Sequence, residues 1–181
     1  MNPIGLTLIV ITTLIPAVQL FTLPDVSDKI ALFSQYLGLA ALILMAWGQI
    51  LSTRLRGIET LFGGLDRVYV LHKWAGIVAM VAILLHDTID AEMRGARETW
   101  VTELAETLGE LSLYGLLILV VISIATFIPY HLWKWTHKIM GGMFAAGVFH
   151  FVFIMKPFAM SDPAGLCLDA LARHHAPCAQ I

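Results

Sequence analysis

Residues 69–87 read YVLHKWAGIVAMVAILLHD, and this stretch decides the fold. It is an apolar segment with one histidine near each end, His72 and His86. The two histidines are fourteen residues apart. On a helix this is just under four turns, so both side chains leave nearly the same face, about 40° and roughly 21 Å apart. The stretch therefore predicts one helix that presents two imidazoles at two depths.

A second stretch repeats this arrangement. Residues 135–156 read WTHKIMGGMFAAGVFHFVFIMK, and His137 and His150 are thirteen residues apart, which is roughly 20 Å along a helix. Two such helices side by side would offer two facing histidine pairs at two depths. On an ideal helix His137 and His150 point about 140° apart, so both can face the first helix only through tilt or a local change of winding.

Small residues lie between the histidines of the second stretch. Gly141 and Gly142 are compatible with a bulge in the helix or with the close approach of a flat macrocycle to the backbone. They are equally compatible with simple packing of small residues against a neighbouring helix, and Ala145, Ala146 and Gly147 continue the same surface. The sequence leaves these interpretations open.

The composition indicates an integral membrane protein. Of the 181 residues, 59% are hydrophobic and 13% are charged, and the mean hydropathy is +0.82. A soluble domain is usually nearer half apolar and a quarter charged. The formal net charge of -2 offers no basic face for nucleic acid. The two cysteines both lie in the last fifteen residues, so no disulfide framework holds the chain. Membrane lipid is the expected partner, and nucleic acid is not.

Five apolar runs predict five spanning helices. They lie at residues 4–21, 31–51, 70–87, 111–128 and about 135–154. Each is close to or above the length that crosses a hydrocarbon layer of about 30 Å. Pro16 predicts a kink in the first run, and Pro129 predicts the end of the fourth. The first run lacks the basic start and the cleavage site of a signal peptide, so we expect it to remain as a helix.

A polar, mostly acidic stretch, DTIDAEMRGARETWVTELAETLGEL, separates the third run from the fourth. Trp100, Val101, Leu104 and Leu108 recur in it at helical spacing, which predicts a short amphipathic helix on the outer membrane surface. The predicted fold is therefore an all-α membrane protein. It consists of a bundle of about five transmembrane helices over residues 1–160 and a polar tail over residues 161–181.

Basic residues beside the membrane ends predict the orientation. One side carries Arg54, Arg56, Arg67, Lys73, Lys134 and Lys138, and the other carries Lys29, Arg94, Arg97, Lys156 and Arg173. The first group occupies two tight loops, whereas part of the second lies in a long acidic segment. We therefore expect the loops 52–68 and 130–136 and the N-terminus to be cytoplasmic, in a multi-pass protein of the inner (plasma) membrane.

With this orientation His72 and His137 form an inner pair, and His86 and His150 form an outer pair. An ionisable side chain within a membrane span costs about 2.5–3.5 kcal/mol when charged, and it usually faces a cavity, a partner or a cofactor. Haem iron accepts two axial imidazoles, so the two pairs are candidate ligands of two stacked haems. Packed neutral histidines and a proton relay in a cofactor-free transporter or scaffold are the alternatives. Zinc and copper are disfavoured because their ligands gather around one point.

The same residues resemble a known family. The His-x13-His and His-x12-His pairs, the basic loop before the first pair, the long loop after it, and the stretches LDRVYVLHKW and KPFAMSDPAG carry the resemblance. Over about residues 5–165 the chain resembles the ferric reductase-like transmembrane domain of ferric reductases and NADPH oxidases. The resemblance implies that His72, His86, His137 and His150 hold two b-type haems. It also implies that electrons pass from a cytoplasmic flavin domain fed by NAD(P)H to an outer acceptor, such as a ferric chelate or oxygen.

The sequence departs from that family at its end. The resemblance implies a sixth helix and, in the long forms, a region that binds FAD and NAD(P), but the sequence ends at Ile181 with neither. No Gly-x-Gly-x-x-Gly stretch follows a predicted strand. We therefore expect a separate electron donor, either a cytoplasmic flavin reductase or quinol. A truncated chain, a natural short form and a subunit completed by another chain all agree with this ending.

Two further groups of residues are weaker candidates for binding. Five basic residues are candidates to bind haem propionates: Arg54, Arg56, Arg67, Lys73 and Lys138. The positive-inside rule explains them equally well. The tail contains four ligand types for zinc or copper: Cys167, His174, His175 and Cys178. A disulfide between the two cysteines agrees at least as well with an outer location.

Overall fold

The computed structural model describes residues 3–18, 29–89, 100–124 and 128–154. Within these ranges it contains helices and no strand, which confirms the predicted all-α fold. The elements are α1 (Pro3–Leu14), a 3-10 turn (Ile15–Val18), α2 (Lys29–Ser52), α3 (Arg56–Phe62), α4 (Leu65–Thr88), α5 (Trp100–Ile124) and α6 (Tyr130–Phe153).

Three of these helices, α2, α4 and α5, are long and apolar enough to cross a membrane. Helix α6 has a similar length of 24 residues but is more polar, because it carries lysines and histidines. The apolar segment Pro3–Val18 is shorter. The winding tightens to a 3-10 turn around Pro16, where the sequence predicts a kink, since proline has no N–H for the helical hydrogen bond.

Residues 100–111 of the acidic stretch, which the structure describes, do not form a separate surface helix, so the prediction of a short amphipathic helix is wrong for these residues. Trp100 begins α5, which continues unbroken to Ile124. Ala105 in this stretch is fully buried and Gly109 lies against α6. The glutamates on the other faces of this segment are exposed: Glu103, Glu106 and Glu110. The amphipathic pattern therefore reflects the packing of a long helix on its neighbour.

The two predicted loops also contain helix. The loop at 52–68 includes α3, and the residues that follow it, Gly63 and Gly64, have φ angles of 86° and 115°. Positive φ angles favour glycine, and here they turn the chain from α3 into α4. The segment at 130–136 is the start of α6, which begins directly after Pro129. His131, predicted to lie in a loop, is an exposed residue of that first turn.

The long helices form two antiparallel hairpins. Helix α2 packs along α4, and α5 packs along α6, in the two largest interfaces of the fold. Smaller contacts join α2 to α6 and α4 to α5. The backbones of α4 and α6 hardly approach each other. The two helices that carry the histidine pairs therefore belong to different hairpins, and we call the region between α4 and α6 the slot.

Helix α1 packs on the outside of the first hairpin. Its Gly5 lies against the ring of Phe62, where a Cβ atom would come within 2.7 Å of a ring carbon. The Trp47 indole N–H donates a hydrogen bond to the Thr12 hydroxyl at 2.9 Å, and the Trp47 and Phe62 rings pack edge to face. Among the described residues, α1 packs mainly on α2, α3 and its own 3-10 turn, so it lies away from α4 and α6.

Candidate functional site

His72 and His137 come together across the slot. His72 lies near the start of α4 and His137 near the start of α6. Their ring centroids are 5.9 Å apart, and their planes are 55° apart. Two imidazoles bound on opposite sides of one metal atom have ring centroids about 6 to 6.5 Å apart, because each metal–nitrogen bond is about 2 Å long. The 5.9 Å between the rings of the inner pair is therefore close to the spacing of two ligands on a single metal atom.

His86 and His150 form a second pair at the other end of the slot. Each lies in the last turn of its helix, α4 or α6. The ring contact of His72 with His137 fixes the relative height of α4 and α6. His86 and His150 follow these residues by fourteen and thirteen positions, so they lie at matching heights. Since α4 and α6 run in the same direction, the four histidines occupy two levels, separated by about 20 Å along the helices.

Three of the four imidazoles turn Nδ1 toward a backbone carbonyl of the preceding helix in their own hairpin. The distances from Nδ1 to the carbonyl oxygen are 3.0 Å for His72 and Gly48, 2.9 Å for His86 and Ser34, and 2.9 Å for His150 and Ala105. A carbonyl oxygen can only accept a hydrogen bond, so Nδ1 carries the proton and donates it. In this tautomer Nε2 keeps its lone pair and is available to bind a metal.

His137 uses a serine hydroxyl instead of a carbonyl. Its Nδ1 lies 3.2 Å from Oγ of Ser123 on α5. That hydroxyl donates its proton to the carbonyl oxygen of Leu119 at 2.8 Å, so its oxygen is left to accept a hydrogen bond from His137. The fourth imidazole therefore has the same tautomer as the other three, with Nε2 available.

Glycines on the preceding helices make room for three of the rings: Gly48 faces His72, Gly38 faces His86 and Gly109 faces His150. A Cβ atom at Gly109 would overlap Nδ1 of the facing ring and lie 2.8 Å from two of its carbons. At Gly38 the Cβ atom would lie 3.3 Å from the ring, and at Gly48 it would lie 3.7 Å away. Helix α5 can therefore approach His150 only because residue 109 has no side chain.

The outer level is built in the same way in both hairpins. The residue that accepts the hydrogen bond and the glycine that faces the ring are one helical turn apart, Ser34 with Gly38 and Ala105 with Gly109. Ser34 is buried, and its hydroxyl also donates to the carbonyl oxygen of His86 at 3.1 Å. Sequence reasoning missed these residues. The signal that could have found them is a small residue followed by glycine four positions later, present on both α2 and α5.

A family model matches this chain. The model describes the ferric reductase like transmembrane component, and it covers residues 37–148, more than half of the sequence. The chain belongs to this ferric reductase-like family. Membership indicates a membrane electron-transfer module. The matched range includes His72, His86 and His137 and ends just before His150. No curated protein matches the chain.

Gly141 and Gly142 of the ferric reductase-like chain do not pack tightly on a neighbouring helix. A Cβ atom at either position would meet nothing within 4 Å outside its own helix segment, and α6 keeps its α-helical winding through both residues. Neither a bulge nor small-residue packing is therefore seen there. Gly147 does pack closely, since a Cβ atom there would lie 2.9 Å from Oγ of Ser112. Close approach of a flat ligand at residues 141 and 142 stays a prediction.

The five basic residues proposed for propionates are all exposed. Two of them pair with aromatic rings at the inner end of the ferric reductase-like bundle. Arg54 donates a hydrogen bond to the Tyr69 hydroxyl and lies over its ring, and the Lys138 ammonium lies 4.7 Å from the centre of a Trp135 ring. Such pairs suit a membrane boundary, where cations and aromatic rings concentrate. Their role toward propionates stays a prediction, and the cysteines and histidines of the tail lie outside the described residues.

Proposed function

We propose that this ferric reductase-like chain carries electrons across the membrane and holds two b-type haems, one between His72 and His137 and the other between His86 and His150. The observation that supports this most strongly is the orientation of the imidazoles. Each donates a hydrogen bond from Nδ1 to the partner helix of its own hairpin, and each keeps Nε2 for a ligand. A haem bound at each level would supply an iron that accepts and releases one electron.

The residues around the histidines prepare them to bind iron. A hydrogen bond from Nδ1 fixes the tautomer and the orientation of the ring, and it makes Nε2 a more basic ligand. The glycines bring α2 and α5 close enough for their carbonyls to reach these nitrogens. The four rings are therefore held in a fixed orientation before any ligand binds.

The same hydrogen bonds argue against a cofactor-free proton relay. A relay needs imidazoles that exchange hydrogen bonds with one another or with a chain of water. Here each Nδ1 is committed to a fixed acceptor within its own hairpin, and the inner rings stand at the spacing of two ligands on one atom. Paired ligands for a metal explain the arrangement better than a transport path does.

Electrons are proposed to enter at the inner level and to leave at the outer level. The basic residues of the predicted cytoplasmic side are exposed: Arg54, Arg56, Arg67, Lys73, Lys134 and Lys138. They would attract an acidic flavoprotein or an anionic cofactor. FAD and NAD(P)H would act through such a partner, with quinol as the alternative donor. A ferric chelate, oxygen or another oxidant would accept the electrons at the outer face of the inner (plasma) membrane.

A reduced-minus-oxidised absorption spectrum of the purified protein, with haem quantified against protein, tests this proposal. We expect the spectrum of low-spin b-type haem and about two haems per chain, because each iron takes two of the four imidazoles. A ratio near one would remove one level from the proposal. A ratio near zero would overturn it in favour of a membrane protein without a cofactor.

The need for a partner can be tested with the same sample. NADPH alone is expected to leave a protein of residues 1–181 oxidised, because these residues contain no Gly-x-Gly-x-x-Gly stretch. Dithionite is expected to reduce the protein, and a ferric chelate or oxygen is expected to reoxidise it. Reduction of rigorously pure protein by NADPH would contradict the need for a partner. Failure of every aqueous acceptor to reoxidise it would favour a quinone-linked route within the membrane.

A further inference from the structure

His137 is held differently from the other three histidines. Those three donate to a backbone carbonyl and lie against a glycine of the preceding helix. His137 donates to the hydroxyl of Ser123 instead, over a longer distance of 3.2 Å. The face of its ring is covered by the indole of Trp133, with centroids 4.8 Å apart and planes 16° apart. A serine hydroxyl also lies near Nδ1 of His86, 2.9 Å from Oγ of Ser34, but that ring has a backbone carbonyl as well. His137 is the one of the four whose hydrogen bond and ring stacking both come from side chains.

Trp133 is well placed to fix the plane of the His137 ring. It lies one helical turn earlier on α6, so the two side chains share a face. Tyr130 stacks on Trp133 in turn, with centroids 5.9 Å apart and planes 21° apart. A single hydrogen bond fixes the direction of Nδ1 but leaves the ring free to swing about that bond. A nearly parallel indole removes this freedom, because the ring can rotate only by losing its stacking contact.

We propose that Trp133 is a positioning residue that sets the plane of His137 against the plane of His72. The two rings stand 55° apart. This inference rests on the proposed function, because the angle has a chemical effect only where both rings bind one iron. If His72 and His137 hold one iron, the angle between their planes would affect the splitting of the iron d orbitals. It would therefore affect the low-spin electron paramagnetic resonance (EPR) signal and contribute to the reduction potential.

The test is the EPR spectrum of the oxidised full-length protein, combined with a redox titration. Trp133→Leu is expected to shift one of two low-spin signals and the midpoint potential of the same haem, and to leave the other haem unchanged. Trp133→Phe keeps a flat ring and is expected to restore most of the original signal. Trp135→Leu is the matched control, because Trp135 is exposed on the same helix and pairs with Lys138 instead of a histidine. Both signals should be unchanged in this control.

The outcomes separate this inference from the proposed function. Two unchanged signals in a Trp133→Leu variant with full haem content would overturn the role of Trp133 and leave the haem proposal intact. Absence of haem from the unmodified protein would overturn both. If the leucine variant loses its inner haem, Trp133→Met takes its place in the test, because methionine fills similar space without a flat ring. Identical signals from the methionine and phenylalanine variants would then overturn the positioning role, and a signal restored by phenylalanine alone would support it.

Discussion

Replacing His72 or His137 with alanine is expected to lower the haem content from about two to about one per chain and to leave the outer haem in place. Each proposed iron takes one ligand from α4 and one from α6, so loss of either ligand should empty one level only. Replacing His86 or His150 should remove the outer haem instead. Haem quantification and a redox titration of the four variants measure both the number of haems and the identity of the one that remains.

His131→Ala is the matched control for these variants. His131 lies on the same helix as two of the proposed ligands but is exposed in the first turn of α6. Its replacement is expected to keep both haems, as is replacement of His174 or His175 in the tail. If all four ligand variants lost the same single haem, the arrangement on two levels would be wrong.

Gly109→Ala is expected to have the next largest effect. The new methyl group would overlap Nδ1 of His150, and the ring could escape only by breaking its hydrogen bond to the Ala105 carbonyl. Overpacking of this kind costs about 1–3 kcal/mol. We therefore expect haem at the outer level to bind roughly 5- to 150-fold more weakly, since about 1.4 kcal/mol corresponds to a factor of ten. Haem titration of the haem-depleted protein measures the change.

Two other glycines provide controls of the same chemical change. A Cβ atom at Gly48 would lie 3.7 Å from the facing ring, which is ordinary contact, so Gly48→Ala should keep normal haem affinity. Gly142→Ala adds a methyl group that meets nothing within 4 Å, and its higher helix propensity favours α6 by about 1 kcal/mol. Unchanged outer haem in Gly109→Ala would contradict the close approach of α5 to His150.

The histidines could be predicted from the sequence because they interrupt apolar helices at regular spacing. The groups that orient them could not. Gly48 and Ala105 contribute only a backbone carbonyl oxygen, which every residue has, so nothing in their identity shows that role. Ser123 and Trp133 have informative side chains. The contact of Ser123 with His137 is found only when α5 and α6 are placed together, and that of Trp133 only when neighbouring turns of α6 are compared.

The starts of α5 and α6 could not be predicted from the sequence either. Charged residues interrupt the apolar pattern near Trp100 and Tyr130, so the sequence predicts a surface helix in the first segment and a loop in the second. Hydropathy averages over all faces of a segment. In the structure the charges occupy exposed faces of α5 and α6, while Ala105 and Gly109 pack on the neighbouring helix. A single helix can therefore carry both an apolar span and a charged extension.

The slot between α4 and α6 bears on how the protein matures in the cell. Each hairpin has its own extensive interface, whereas the backbones of the two histidine helices hardly approach each other. In the proposed holoprotein each haem would join the hairpins, because it takes one ligand from each. Insertion into the membrane could then precede completion of the bundle, with the cofactors closing it afterwards. The supply of haem would determine how many chains reach the finished state and how many are left open to quality-control proteases.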